Sequence, residues 1–176
     1  TVVCSEKGWI RAMKGHLDPE KIKALSYKDG DKERFVFHAE TTYKLIAFGT
    51  NGKFYTIGAD KLPSGRGLGE PVRLMIDLQN DADIVTFMVH QPGRKLLVAA
   101  DDGRGFIVQE NDILSQTRNC KQCLNVKDGA EAKVCRPLED RDDHVAVIGD
   151  SRKLLVFPLE ELPEMARGVG VILQRY

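Results

Sequence analysis

The sequence predicts an all-β, propeller-like fold built from about four repeat units. A hairpin signature recurs along the chain: an apolar run rich in β-branched residues, a tight polar turn of the Asn-Gly or Asp-Gly kind, and a second apolar run. Full copies span residues 44–57, 95–108 and 144–157, and a shorter copy spans residues 2–11. Matching turn positions 44, 51 and 49 residues apart, a spacing typical of propellers, are held by Gly8, Gly52, Gly103 and Arg152.

Each unit continues beyond its hairpin in the same order. A short link that runs from a polar or acidic residue to a leucine leads to a basic, glycine-bearing loop. A third apolar strand, a second turn and a fourth strand follow. The loops span residues 64–71, 116–122 and 165–170, the third strands 72–78, 123–126 and 171–173, and the fourth strands 34–38, 84–89 and 133–136. Four strands in about fifty residues are typical of a propeller blade. We therefore expect one repeat-built domain over residues 1–176, with units at about 1–40, 41–91, 92–143 and, incomplete, 144–176.

The first unit departs from this order after its hairpin. Residues 14–20 replace the basic glycine-bearing loop, and Asp18 followed by Pro19 predicts the cap and first turn of a short helix. The last unit lacks a second turn and a fourth strand. Such a unit must borrow a strand, expose an edge or leave the array open.

Stacked sheets would supply the hydrophobic core. One four-stranded sheet cannot bury both of its faces alone, so at least three units must stack and share a core. The apolar runs of the hairpins supply the expected interior residues, which are Phe48, Phe54, Ile57, Leu96, Val98, Phe106, Val108, Val147, Leu155 and Phe157.

Composition limits the classes of partner. The chain has 26 Lys and Arg against 26 Asp and Glu, so no global field attracts nucleic acid or an anionic membrane, and any basic surface is local. No apolar run is long enough to span a membrane, and the N-terminus lacks the pattern of a signal peptide. We therefore expect a cytoplasmic location and no membrane partner. The first residue is not Met, which suggests a piece of a longer protein.

Cysteines and histidines do not predict a catalytic or metal site. Cys120 and Cys123 have the spacing of half a zinc site, with Cys135 and His144 as conceivable further ligands. Reduced thiols borne on strands are the favoured interpretation. The four histidines lie in different units without a shared acidic partner. We expect no catalytic residue, no metal and no cofactor.

The ordered combination of these segments resembles the C-terminal domain of bacterial type IIA topoisomerase A subunits. The residues closest to the topoisomerase IV branch are 48–57, 61–69 (Lys-Leu-Pro-Ser-Gly-Arg-Gly-Leu-Gly), 95–108, 154–163 and 165–168. The chain lacks the glutamine-arginine-rich, glycine-rich box of the gyrase branch, which favours topoisomerase IV. The resemblance implies a β-pinwheel, a propeller-like disc whose blades exchange strands and around whose rim DNA bends.

The same resemblance implies a role without chemistry. Such a domain positions the transported DNA segment for ATP-dependent decatenation and relaxation, while the cleavage residues lie elsewhere in the enzyme. Its partners would be the backbone of double-stranded DNA, the remainder of the A subunit and, through it, the B subunit, at a nucleoid-associated location. The alternative is a propeller-type scaffold for protein–protein interaction without a nucleic-acid role, which the zero net charge allows.

Basic residues in the glycine-bearing loops are the candidate DNA contacts. A duplex bent on a curved surface needs its phosphates neutralised along an arc, and repeated loops supply cations at regular intervals. Arginine and lysine beside flexible glycines also let backbone amides approach phosphate oxygens. The first choices are Arg66, Arg118, Lys121 and Arg167, with Lys14 as the substitute in the first unit; the second choices, at hairpin tips, are Lys7, Lys53, Arg104, Arg152 and Lys153.

Overall fold

The computed structural model of the chain describes residues 1–116 and 120–174. The strands are β1 (Val2–Ser5), β2 (Trp9–Ala12), β3 (Glu33–Phe37), β4 (Lys44–Gly49), β5 (Lys53–Gly58), β6 (Glu70–Pro71), β7 (Ile84–Val89), β8 (Lys95–Ala100), β9 (Arg104–Gln109), β10 (Lys121–Gln122), β11 (Ala132–Pro137), β12 (His144–Ile148), β13 (Leu154–Pro158) and β14 (Val171–Ile172). One α-helix, α1 (Pro19–Lys23), follows β2 and confirms the helix predicted at Pro19. Short 3-10 helices span Ala59–Lys61, Val72–Leu74, Glu110–Ile113 and Leu159–Glu161.

The strands form stacked antiparallel sheets. Within the described residues, three sheets have four strands, in the orders β3-β1-β2-β6, β10-β5-β4-β7 and β11-β8-β9-β14, and a fourth sheet consists of the hairpin β12-β13. In each four-stranded sheet the hairpin lies in the middle. One edge strand, β3, β7 or β11, comes before the next hairpin in the chain, and the other is donated by the chain after that next hairpin. This exchange confirms the all-β, propeller-like β-pinwheel.

Turn geometry confirms the equivalence of the four hairpins. The backbone at Gly8, Gly52 and Gly103 has φ values of 80°, 75° and 80°, in the left-handed region that glycine adopts most readily. Arg152 occupies the same position of the fourth hairpin with φ 61°. This left-handed backbone region is unfavourable for Arg152 because its Cβ is crowded there, whereas the glycines of the other three turns have no Cβ.

The third strands of the units differ from the prediction. We expected a strand over residues 72–78, but Val72–Leu74 is a 3-10 helix and the strand is Glu70–Pro71. The strand β10 (Lys121–Gln122) likewise precedes the predicted strand over residues 123–126, whereas β14 (Val171–Ile172) lies within the predicted strand over residues 171–173. The Val72 N–H still donates to the Gly8 carbonyl (2.8 Å), but the Val72 carbonyl accepts from the Met75 N–H and begins a helical turn, so strand pairing ends there.

The core lies between successive sheets. One apolar cluster joins the first and second sheets, another joins the second and third, and a smaller one joins the third to the β12–β13 hairpin. All predicted core residues of the second and third hairpins are buried. In the fourth hairpin the prediction was wrong for Leu155, which is 38% exposed, while Val147 and Phe157 are half-buried. Within the described residues neither edge of this hairpin is paired, so its side chains lack the cover that the others have.

The edge strands that follow the hairpins converge. Arg34 of β3 donates to the Ile84 carbonyl of β7, and the Thr86 hydroxyl of β7 donates to the Cys135 carbonyl of β11 (3.5 Å). Residues of all three strands line one cavity of about 1030 Å³. These edges therefore face inward, and the donated strands β6, β10 and β14 lie on the opposite, outer edge of each sheet. Among the described residues, no helix has the length and hydropathy needed to cross a membrane.

Candidate nucleic-acid interface

Three donated segments cover the outer edges of three successive sheets in one register. Pro71 pairs with Trp9, Gln122 pairs with Lys53 and Ile172 pairs with Arg104, each partner being the first residue of the hairpin's second strand. The residue after each pair then donates its N–H to the turn glycine: Val72 to Gly8 (2.8 Å), Cys123 to Gly52 (3.1 Å) and Leu173 to Gly103 (2.8 Å). The loop before each donated strand is thereby fixed to the hairpin tip.

Arg66 and Arg167 occupy equivalent positions in this arrangement. Each lies four residues before the first paired residue of its donated strand, which is Glu70 in β6 and Val171 in β14. Both arginine side chains are exposed, and the Arg167 Nε donates weakly to the Asn125 Oδ1 (3.4 Å). The structure thus brings these two predicted contacts to the outer edges of the first and third sheets.

The second sheet carries Lys121 on its outer edge. Lys121 is exposed and pairs with Phe54 as the first residue of β10. Arg118, which the sequence aligns with Arg66 and Arg167, lies outside the described residues. In the sequence it precedes Lys121 by three residues and not four, so the loop of this unit is one residue shorter than the other two.

Glycine is required where two of the loops meet their sheets. Gly69 and Gly170 have φ values of 88° and 82°, and a Cβ at either position would lie 2.4 Å from the carbonyl oxygen of Ile10 or Gly105. The corresponding residue before β10 is Cys120. The basic glycine-bearing loop therefore reaches the outer edge by a close backbone approach in the first and third sheets.

The other predicted basic contacts lie at two ends of the hairpins. Lys53, Arg104 and Lys153 all follow the turn residue directly; Lys153 is exposed, while Lys53 and Arg104 are half-buried. The turn residues Lys7 and Arg152 are exposed, and Lys7 Nζ donates to the Asp29 carbonyl (3.2 Å). Lys14, also exposed, lies beyond the other end of β2. It follows Met13, whose sulfur occupies the space next to Gly65, so Lys14 is close to the loop of Arg66.

One arginine that supports this surface was missed from the sequence. Arg11 is only 5% exposed, and its guanidinium donates to the carbonyl oxygens of Gly67 (2.5 Å) and Ser26 (2.6 Å). It thus holds the loop of Arg66 against the segment before the second turn. Arg11 follows the apolar Ile10 in β2, and because side chains alternate between the two faces of a strand, the sequence indicates an exposed Arg11 side chain. No sequence pattern predicts that residues 26 and 67 cover it.

A buried ionic cluster was missed as well. Glu110 is fully buried, and its carboxylate accepts from the Gln91 N–H (2.7 Å) and from Arg94 Nε (2.6 Å), and it contacts His90 Nδ1 (2.8 Å). The cluster fixes the connection between β7 and β8 to the 3-10 helix that precedes the loop of Arg118. Glu110 follows its hairpin directly, the position that apolar Ala59 and Leu159 hold in the neighbouring units, so the repeat carries no signal for a buried carboxylate there.

The cysteines of the conceivable zinc site belong to the apolar core. Cys123 and Cys135 are buried in the cluster between the second and third sheets, whereas His144 is exposed beside Asp143. Burial raises the pKa of the Cys123 thiol to about 12 and also raises that of Cys135. Within the described residues, no group of three or more His, Cys, Asp or Glu side chains is placed to hold a metal ion.

Comparison with known families matches the repeat pattern. Residues 43–91, 94–132 and 143–176 match the family described as DNA gyrase C-terminal domain, beta-propeller. The chain belongs to this family. Among curated members, it is 49% identical over 177 residues to the A subunit of DNA topoisomerase 4 from Caulobacter vibrioides and 42% identical over 176 residues to that from Rickettsia bellii. All of the chain is covered, but only 22% and 23% of those proteins, so it spans less than a quarter of their length.

Solved structures of gyrase C-terminal domain family members share the architecture. The C-terminal domain of ParC from Escherichia coli superposes with a TM-score of 0.87 at 30% identity, covering 96% of this chain and 68% of that one. A C-terminal domain of DNA topoisomerase IV gives a TM-score of 0.81 at 16% identity, covering 97% and 55%. The higher score of the first comparison is consistent with its higher sequence identity. The second, at its low identity, supports the fold alone.

Proposed function

We propose that this gyrase-type C-terminal domain is a non-catalytic DNA-binding and DNA-bending module of a topoisomerase IV A subunit. It holds duplex DNA by its phosphates along the outer edges of the sheets and positions the transported segment for ATP-dependent decatenation and relaxation. Its partners are the remainder of the A subunit and, through it, the B subunit. The protein works on the nucleoid in the cytoplasm. The identity to curated A subunits of topoisomerase 4 supports this assignment.

One observation carries the proposal: the equivalent exposed positions of Arg66 and Arg167 on the outer edges of two sheets, with Lys121 on the edge between them. A cation on each successive edge can neutralise phosphates at intervals along a bent duplex. The net charge of zero does not oppose this, because binding needs only a local basic arc.

One exposed acidic loop lies on the inner side of the sheets. The loop that follows the inner-edge strand β11 contains Glu139, Asp140, Asp142 and Asp143, all exposed. Its carboxylates are partly engaged locally, since Glu139 pairs with Arg141 (2.7 Å) and Asp143 with His144 (2.9 Å). The His144 hydrogen bond and charge hold the pKa of Asp143 below its usual range, so this loop remains anionic and repels DNA from the inner side.

Salt-dependent binding of a linear duplex tests the proposal. The double variant Arg66→Ala, Arg167→Ala should weaken binding, and the log-log slope of affinity against salt should fall in magnitude by roughly 1.8, because each phosphate contact contributes about 0.9. The matched control is Lys133→Ala, Arg141→Ala, which removes the same net charge from β11 and its following loop. Equal slopes for the wild type and both variants, or no duplex binding, would favour the protein-interaction scaffold instead.

A further inference from the structure

The residue after the hairpin turn lies at the outer edge of every sheet, and the first hairpin differs there. Lys53, Arg104 and Lys153 hold this position in the second, third and fourth hairpins, whereas Trp9 holds it in the first. Trp9 pairs with Pro71 of the donated strand β6, so it has the same place on the edge as the cations. The first hairpin therefore lacks a positive charge at this one position.

A lysine from another segment brings the charge to this place. Lys28 comes from the second turn of the first unit, and its Nζ lies 3.2 Å from the centroid of the Trp9 ring. This is the geometry of a cation–π contact, in which the ring face attracts the ammonium. Lys28 is exposed, and an ammonium has three N–H donors, so the side away from the ring can donate to an anion.

The buried Arg11 places Lys28 and Arg66 on one patch. Its guanidinium binds the carbonyl of Ser26, two residues before Lys28, and the carbonyl of Gly67, the residue after Arg66. Because both hydrogen bonds come from one fixed, planar group, the two segments cannot shift independently. The centroid of the Tyr27 ring lies 5.8 Å from the Arg11 guanidinium carbon, so this ring also covers the guanidinium.

The carboxylate of Asp31, in the turn that follows Lys28, is already engaged. Asp31 accepts from the Ser5 hydroxyl (2.5 Å) and from the N–H groups of Lys7 (3.0 Å) and Lys32 (2.9 Å). Partial desolvation acts to raise the pKa of Asp31, but these hydrogen bonds together hold it below its usual range. Its charge therefore fixes the two turns to each other.

We propose that Lys28, seated on Trp9, is a phosphate contact for duplex DNA on the outer edge of the first sheet, acting in one patch with Arg66. The proposal rests on the proposed function. It assigns to the first sheet the cation that Lys53 and Arg104 supply in the next two. The recognised chemistry is the sugar-phosphate backbone, without base readout.

Trp9 provides a direct probe, because it is the only tryptophan in the chain. The full chain is titrated with a fluorophore-labelled duplex of mixed sequence, and binding is followed both by anisotropy of the duplex and by Trp9 emission. We expect Trp9 emission to change saturably with the midpoint that anisotropy gives. Lys28→Met should reduce the magnitude of the log-log salt slope by about 0.9, while Lys133→Met, on the inner-edge strand β11, should leave it unchanged.

The two measurements separate failure of this inference from failure of the proposed function. Duplex binding by anisotropy with unchanged Trp9 emission and an unchanged slope for Lys28→Met would overturn the inference alone. Absence of duplex binding by anisotropy would overturn both. Thermal unfolding of Lys28→Met is measured alongside, and an unchanged midpoint shows that a lower slope reports lost contact and not lost fold.

Discussion

At the scale of single residues, the charged side chains of this chain divide into two groups with different roles. Arg66, Lys121 and Arg167 point to solvent at the outer edges, where a charge is available to a ligand. The guanidinium groups of Arg11 and Arg94 bind internal carbonyl and carboxylate groups. An arginine in the first group can be neutralised with little effect on folding, whereas one in the second supports the position of a loop.

Glu110 gives the sharpest test of the internal group. Glu110→Gln removes the charge that compensates the largely buried Arg94, so the free energy of unfolding should fall by about 3–5 kcal/mol. The matched control is Glu164→Gln, which loses the half-exposed pair with Lys95 (2.8 Å) and should cost below about 1 kcal/mol. Urea unfolding followed by circular dichroism measures both. Equal losses for the two variants would show that the Glu110 cluster does not stabilise the fold.

At the scale of elements, the hairpins were predictable and the donated strands were not. Repeated apolar runs around a turn glycine identify a hairpin from local sequence, and Arg152 could be aligned with the glycines by spacing alone. The donated strands β6, β10 and β14 are two residues long, too short for any alternation, and they are fixed by carbonyls of turns tens of residues away. The exposure of Leu155 was missed for a related reason, since burial depends on neighbouring strands that a local pattern does not contain.

In the candidate site, too, the local features were predictable from the sequence and the contacts between distant segments were not. The glycine-bearing loops were predicted from Arg66 and Arg167 with their flanking glycines, and the structure places both at one equivalent position. The contact of Lys28 with Trp9 and the bridging by Arg11 join segments at least fifteen residues apart in the chain. Such pairings depend on how the turn folds back onto the hairpin, which neither spacing nor periodicity encodes.

Turn glycines allow the attachment of a donated strand to be tested. Gly52 and Gly103 hold the same turn position with positive φ, so alanine at either should cost about 1–2 kcal/mol in backbone strain. At Gly52 the new Cβ would also lie 1.9 Å from the Leu124 carbonyl oxygen, whereas at Gly103 no described atom lies within 4 Å. Gly52→Ala should therefore destabilise the fold by clearly more than Gly103→Ala.

Hydrogen exchange locates that effect. The N–H groups of Cys123 and Leu124 both donate to the Gly52 carbonyl (3.1 and 3.0 Å), so Gly52→Ala should lose their protection. Gly103→Ala serves as the control and should leave both amides protected. Similar losses of stability and unchanged protection in the two variants would show that the donated strand does not depend on this close approach.

At the scale of the whole molecule, strand exchange attaches a donated segment both to its own unit and to the sheet that it completes. The loop of Arg66 belongs by sequence to the chain after the second hairpin's 3-10 helix, yet it is fixed to the first sheet through Gly69 and Glu70. The position of an outer-edge cation therefore depends both on the sheet that its segment covers and on the unit that donates the segment. The stacked sheets therefore present charges on successive outer edges, although the chain as a whole carries as many acidic as basic residues.

If these outer-edge cations bend DNA as proposed, energy transfer between dyes at the two ends of a duplex detects the bend most directly. The duplex is chosen much shorter than the persistence length of about 150 bp, so that it is straight when free. With saturating wild-type protein the end-to-end distance should shorten, and with saturating Arg66→Ala, Arg167→Ala it should shorten less. A duplex that is fully bound by the wild type and remains straight would contradict the account.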